Sequence, residues 1–256
     1  MISLLKKIFK SKPGIFLRNN IGFKKVPMLL PLSRENSISI SDTFIWRTDN
    51  DFYTIFKFTD ILKLFYHCPE TKIELIFYNN LNKIIKREQI LTNGKNHELI
   101  INEKFIGFKG SGTFCIFHDT SNFDPNIIIS NRCYVGYSYK NNLPSFVHGN
   151  YLSKHKPLGK SSIYNGIIQF TLFKKNSYLI QNNFSKFEKT ELFFTNPNNI
   201  VLKFAIDEKQ FKVTKNGLLK VTLFKKDLIK ISKSNSLFIR PTIFNYNNGF
   251  IDVYHS

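Results

Sequence analysis

From about residue 36 onward, apolar and polar side chains alternate in short runs. In Lys72–Tyr78, residues Ile73, Leu75 and Phe77 fall on one face and Lys72 and Glu74 on the other. That is the period of two of a half-buried strand. The same reading holds for Ile38–Ile40, Phe44–Trp46, Phe52–Phe58, Gly166–Phe173, Thr190–Thr195, Ile200–Ile206, Leu218–Phe224, Leu237–Arg240 and Phe250–Tyr254. Turn formers separate these runs at 48–51, Asn79-Asn80, Asn93-Gly94 and Asn141-Asn142. Asn and Gly tolerate the positive φ that tight hairpins require. Helical periodicity is scarce, and the best internal helix is Thr59–Tyr66, where Asp60 is placed to cap it.

Short strands at even spacing predict an all-β chain: tandem antiparallel β-sandwich domains of jelly-roll or immunoglobulin-like type, behind a short basic N-terminal leader. The expected bounds are 1–33 for the leader, 34–150 for the first sandwich, 151–165 for a linker and 166–256 for the second sandwich. The linker reading rests on Lys154, His155, Lys156, Pro157 and Gly159. A faint internal repeat favours two sandwiches over one large one. Glu74-Leu-Ile-Phe-Tyr resembles Glu191-Leu-Phe-Phe-Thr, an Asn-Gly follows each (Asn93-Gly94, Asn216-Gly217), and Arg132 and Arg240 each head a tyrosine-bearing strand.

The leader holds Lys6, Lys7, Lys10, Lys12, Arg18, Lys24 and Lys25 without an acidic residue. Ile2, Leu5, Ile8 and Phe9 lie at helical spacing, and Pro13-Gly14 is expected to stop that helix. The leader reads as a surface arm, with weak peripheral contact to an anionic membrane through residues 1–12 as its functional alternative.

The formal net charge is +19, which directs attention to nucleic acid, anionic membranes and acidic ligands. Yet Ala205 is the only alanine while Lys, Asn, Ile and Phe abound. Codon bias toward A and T thus accounts for much of the lysine, and nucleic acid is an unlikely partner. Only six of the 37 basic residues are arginines, so each arginine points to a planar, bidentate or stacking role. Cys68, Cys115 and Cys133 are scattered and odd in number. With no signal-peptide run and no apolar stretch of about 20 residues, they lead to the expectation of a reducing, cytoplasmic setting.

Catalytic and metal chemistry find little support. Gly107–Thr113 lacks a lysine ahead of its Ser or Thr and runs into a strand, so it reads as a glycine turn rather than a phosphate loop. The six histidines form neither an H-E-x-x-H pair nor a zinc spacing, and no nucleophile–base–acid set assembles. No cofactor, metal or catalytic residue is expected.

Residues 125–187 contain no Asp or Glu. Within them Arg132, Tyr134, Tyr137, Tyr139, His148 and Asn150 mix a guanidinium, stacking faces and neutral hydrogen-bonding groups. On a regular strand Tyr134 faces away from Tyr137 and Tyr139; a bulge at Gly136 would bring them together. Trp46 and Arg47 form a second candidate. The expected function is non-enzymatic binding of a carbohydrate or other polar anionic ligand, beside surface-polysaccharide synthesis. The alternatives are a structural module pairing with itself or a protein partner, and non-specific binding of nucleic acid through a basic surface.

Overall fold

The structure, a computed structural model, describes residues 7–8, 11–17, 23–27, 38–92, 96–120, 133–149, 151–155, 164–170, 176–181, 187–196, 201–215, 217–224, 228–235 and 240–255. The chain is all-β. Its strands are β1 (Phe23–Pro27), β2 (Ile38–Arg47), β3 (Phe52–Thr59), β4 (Lys72–Asn79), β5 (Ile84–Ile90), β6 (Asn96–Ile101), β7 (Ser111–Thr120), β8 (Tyr134–Tyr139), β9 (Ser145–His148), β10 (Tyr151–His155) and β11 (Tyr164–Phe170). They continue with β12 (Asn176–Gln181), β13 (Lys189–Asn196), β14 (Leu202–Ile206), β15 (Lys209–Val213), β16 (Gly217–Leu223), β17 (Leu228–Ser234), β18 (Thr242–Asn247) and β19 (Phe250–His255). Among the described residues, short helices include α1 (Lys12–Leu17) ahead of β1, and α2 (Ile61–Tyr66) and α3 (Glu103–Ile106) between strands.

Four antiparallel sheets result. The first has seven strands in the order β1-β11-β10-β2-β7-β4-β5, and the second is β6-β3-β8-β9. The third is β16-β13-β18-β19 and the fourth β12-β17-β14-β15. Adding ten to each label in β2-β7-β4-β5 and β6-β3-β8-β9 reproduces the fourth and third sheets, so one eight-strand topology occurs twice. Counterparts agree in detail: the first residue of β8 pairs Tyr134 with His148, and the first of β18 pairs Thr242 with His255.

This repeat corrects the one expected from sequence. The Glu74 segment is β4 and the Glu191 segment is β13, which is the counterpart of β3. Their likeness reflects only apolar alternation ahead of a turn. The Asn-Gly pairs do precede the counterparts β6 and β16, and the two arginines do precede β8 and β18.

Hydrophobic alternation sets the layers. Phe44, Phe52, Phe56, Phe58, Leu75, Phe77, Phe114, Ile116, Val135 and Tyr137 join the first and second sheets in one core. Leu192, Phe194, Leu202, Phe204, Ile229, Ile231 and Ile243 join the third and fourth in another. Phe193, Phe244, Tyr246 and Val253 project from the opposite face of the third sheet and belong to the first core. The third sheet is therefore a shared wall, and β13 and β18 are buried on both faces.

The segment expected to be a linker lies partly in strands. Residues 151–155 pair with β2, Tyr164–Phe170 pairs with β10, and β1 of the leader pairs with β11. Residues 156–163 lie outside the described residues, as does most of the expected strand Leu237–Arg240. Lys7 and Ile8 are helical and Ser11 is a bend, so that helix ends before Pro13, which itself sits in the first turn of the next: α1 begins at Lys12, and the Ser11 hydroxyl accepts from the Gly14 amide. A first-turn proline is tolerated because its missing N–H has no helical partner there. At α2 the expected cap is present, with Asp60 accepting from the Lys63 amide.

The shared wall predicts one cooperative transition. Phe244→Ala should destabilise the whole chain by about 3–5 kcal/mol. In a urea titration, fluorescence of Trp46, the single tryptophan, should follow far-UV circular dichroism in both proteins. Separated midpoints in the native sequence would show two independent units instead.

Candidate functional site

In the second sheet, Phe52, Phe56, Val135 and Tyr137 turn inward. Tyr53, Ile55 and Lys57 of β3 therefore face out, with Tyr134, Gly136 and Ser138 of β8. Register aligns these into rungs: Glu98–Lys57–Tyr134–His148, then Ile100–Ile55–Gly136–Phe146, then Tyr53–Ser138. Tyr134 is 44% exposed, Phe146 38% and Ile100 39%. The Tyr134 and His148 rings lie 4.6 Å apart, tilted by 43°. Lys57 Nζ stands 5.2 Å from the centre of the Phe146 ring and 3.0 Å from Glu98 Oε2.

Gly136 makes this surface possible. A Cβ there would come within 2.5 Å of the Phe146 ring, so only glycine lets the phenyl lie flat across β8. The ladder is regular through Gly136, from Phe52↔Tyr139 to Lys57↔Tyr134. No bulge redirects the side chains, and the convergence that depended on one does not occur. Tyr137 is fully buried and donates to Ile45 O at 3.0 Å, and burial holds its phenol far above the ordinary range. Tyr139 packs on Phe52 and Tyr246. Of the residues singled out by sequence, Tyr134 and His148 meet on the outer face, while Tyr137 and Tyr139 face inward. Arg132 and Asn150 lie outside the described residues.

The outer face runs into an open cleft of about 850 Å3, lined by Thr48, Asn50, Asp51, Phe52, Tyr53, Asn102, Glu103, Lys109, Lys140 and Asn141. Asn50, Asp51, Lys140 and Asn141 all have positive φ, so two tight turns form its walls. Lys109 Nζ lies 3.7 Å from Glu103 Oε2. In the sequence these residues carry turn chemistry, and the polar clusters Thr48–Asp51 and Lys140–Asn142 were the signal available for the cleft.

Trp46 and Arg47 serve the interior. Trp46 Nε1 donates to Tyr78 O at 2.9 Å, and the side chain is fully buried. Arg47 is also fully buried; its Nε and Nη2 reach the two Asp49 oxygens at 2.9 and 3.1 Å. Nη1 donates to Glu191 Oε2 at 2.8 Å and to Tyr246 Oη at 3.0 Å, across to the third sheet. The rings of Phe52, Phe193 and Phe244 surround the guanidinium at 3.9–4.8 Å. The planar, bidentate role expected of a scarce arginine is filled within the protein. Burial opposes the Glu191 charge, but Arg47, Tyr246, Lys220 and Lys189 together hold its pKa down at about 2.

A second polar cluster lies at the other end of the first core. Asp60 accepts from Thr71 Oγ1 at 2.5 Å, and from Thr92. Burial opposes its charge, yet these hydroxyls and the Lys63 amide keep it below the usual carboxylate range. His118 is buried, which lowers its pKa to about 4 against the attraction of Asp60. Its Nε2 lies 3.9 Å from Cys133 Sγ, whose thiol is pushed up by burial and by Asp42. This is a neutral imidazole beside a protonated thiol, the reverse of an activated pair. Among the described residues, no three His, Cys, Asp or Glu side chains are placed to hold a metal, and no helix is long and apolar enough to cross a membrane.

Two windows of acid sensitivity follow. His118 titrates lower in the folded state than unfolded, so stability is full above about pH 6.5 and falls toward pH 4, by on the order of 3 kcal/mol. Glu191 also has a depressed folded pKa, so its contribution is present above about 4.5 and lost as pH falls toward 2. In urea titrations at stepped pH, His118→Gln should flatten the upper window and Glu191→Gln the lower. Unchanged profiles would mean that these groups titrate alike folded and unfolded.

No protein-family model matches this sequence and no curated protein matches it, so the functional reading rests on the geometry just described.

Proposed function

We propose that the protein is a non-enzymatic, two-sandwich binder of a carbohydrate or similarly polar ligand, held along the outer face of the second sheet and in the adjoining cleft. One observation carries this: exposed Tyr134, His148 and Phe146 lead past Tyr53 into a cleft rich in amides and charges. The Tyr53 and Lys57 rungs lie four positions apart on β3, about 14 Å of surface at the rise of a strand. Aromatic faces match the C–H surfaces of a sugar ring, while Asn50, Asp51, Asn102, Glu103 and Asn141 offer donors and acceptors for its hydroxyls. Lys109 and Lys140 add cationic groups that suit an acidic substituent.

As to type, each unit reads as immunoglobulin-like rather than jelly-roll. Its second strand pairs with its fifth and its third with its sixth, as in the immunoglobulin arrangement. The first, fourth and seventh strands depart from that scheme, each lying on the other sheet.

Binding of soluble neutral and uronic-acid oligosaccharides, measured by calorimetry after a glycan-array screen, tests the reading. Tyr134→Ala and Phe146→Ala should each weaken the strongest ligand about tenfold, the size of a truncated central contact. Phe65→Ala removes an aromatic that is 60% exposed on α2, and it should leave affinity unchanged. A protein that binds no oligosaccharide, or that loses as much with Phe65→Ala, does not act this way.

A further inference from the structure

On the fourth sheet Phe204, Ile206, Phe211, Val213, Ile229 and Ile231 face the core. The alternate residues form its outer face. There Lys203 stands directly opposite Lys212, and Ala205 lies between Gln210 and Ser232. Lys230 follows one rung further, beside Leu179. Lys230 and Lys233 border a cleft of about 540 Å3 lined also by Ser177, Ser232, Asp207 and Glu208.

Two like charges directly across a ladder are destabilising, and among the described residues no other strand register sets two like charges opposite each other. Lys57 pairs with Glu98, Arg87 with Glu74, Lys109 with Glu103, and Lys189 and Lys220 with Glu191. Lys203, Lys212, Lys230 and Lys233 make no ion pair among the described residues. Codon bias explains why a sequence is rich in lysine. It does not explain why two lysines face each other directly across a ladder, with two more beside the neighbouring cleft.

We infer that this face docks an acidic polysaccharide strand, whose carboxylates or sulfates lie along Lys203, Lys212, Lys233 and Lys230, beside Ser177 and Ser232 of the cleft. The choice of a sugar polymer rests on the carbohydrate reading of the second sheet; the charge requirement does not. Single-stranded nucleic acid fits less well, since binding without sequence preference relies on aromatic platforms and the described residues of this face include none. A flat anionic bilayer would press against Asp207 and Glu208 at one end, whereas a narrow chain passes beside them.

The probe is immobilised polygalacturonate, with polydeoxythymidine and equal-part phosphatidylcholine–phosphatidylglycerol vesicles as comparisons. Lys203→Gln, Lys212→Gln and Lys230→Gln together should weaken polygalacturonate binding at least tenfold at low salt and flatten its salt dependence. The equally charged control Lys72→Gln, Lys83→Gln and Lys104→Gln should cost no more than about threefold, the unspecific share of screened surface charge. All six side chains are exposed, so both triples should fold, which circular dichroism verifies. Equal losses in the two triples would overturn the assignment, as would retention no better than on polydeoxythymidine or vesicles. A protein that binds polygalacturonate through these lysines, but whose affinity for every oligosaccharide is untouched by Tyr134→Ala and Phe146→Ala, keeps this inference and loses the preceding one.

Discussion

The burial of one charge, the Arg47 guanidinium, organises the molecule. Removing an ion from water costs several kcal/mol even after relaxation, and a partner recovers that only with good geometry. Arg47 meets the condition with ligands from two sources: Asp49 from its own turn, and Glu191 with Tyr246 from the third sheet. Neither set suffices alone. Take the third sheet away and a buried cation loses a carboxylate, a phenol and two of its three aromatic walls. The sheet in turn would expose Phe193, Phe244 and Tyr246. The units are thus joined by a mutual debt of burial rather than by a simple tether.

That constraint explains why counterpart sheets differ in outward chemistry. On the third sheet the outer positions carry Glu191, Phe193, Phe244 and Tyr246, and they are buried. On the second sheet the corresponding strands carry Lys57 and Tyr134, which are exposed, with Ile55 and Gly136 covered beside them. One topology therefore supplies a wall in one unit and an open platform in the other. The fold allows both; only the side chains decide which.

Much of this was legible in the sequence, and the failures share a cause. Strand positions, the Asp60 cap, the Asn-rich turns and the outward setting of Tyr134 depend on neighbours within a few residues. Alternation alone also puts Tyr137 and Tyr139 on the opposite face, without the imagined bulge. Long-range pairing was not legible. Residues 151–155 look like a linker because Lys154, His155 and nearby Pro157 are polar or breaking, yet β2 and β11 claim them as strand. The scarcity of arginine rightly marked Arg47 for a planar role, but Glu191 lies 144 residues away. Composition gives no hint whether such a partner is a ligand or another part of the chain.

The span of that pairing also sets an order in time. Arg47 and Tyr246 are separated by 199 positions, and Phe244 completes an aromatic cluster with Phe52 and Tyr137. At a synthesis rate of 5–20 residues per second, the later side chains leave the ribosome roughly 10–40 s after the earlier ones. The two sheets of the first sandwich are complete once β11 has been made, and for the last roughly 4–15 s of that interval the sandwich has one missing wall, with a guanidinium and several rings facing solvent. The nascent protein thus passes through an obligatory half-closed state, whose exposed aromatic end is the surface that a chaperone would meet first.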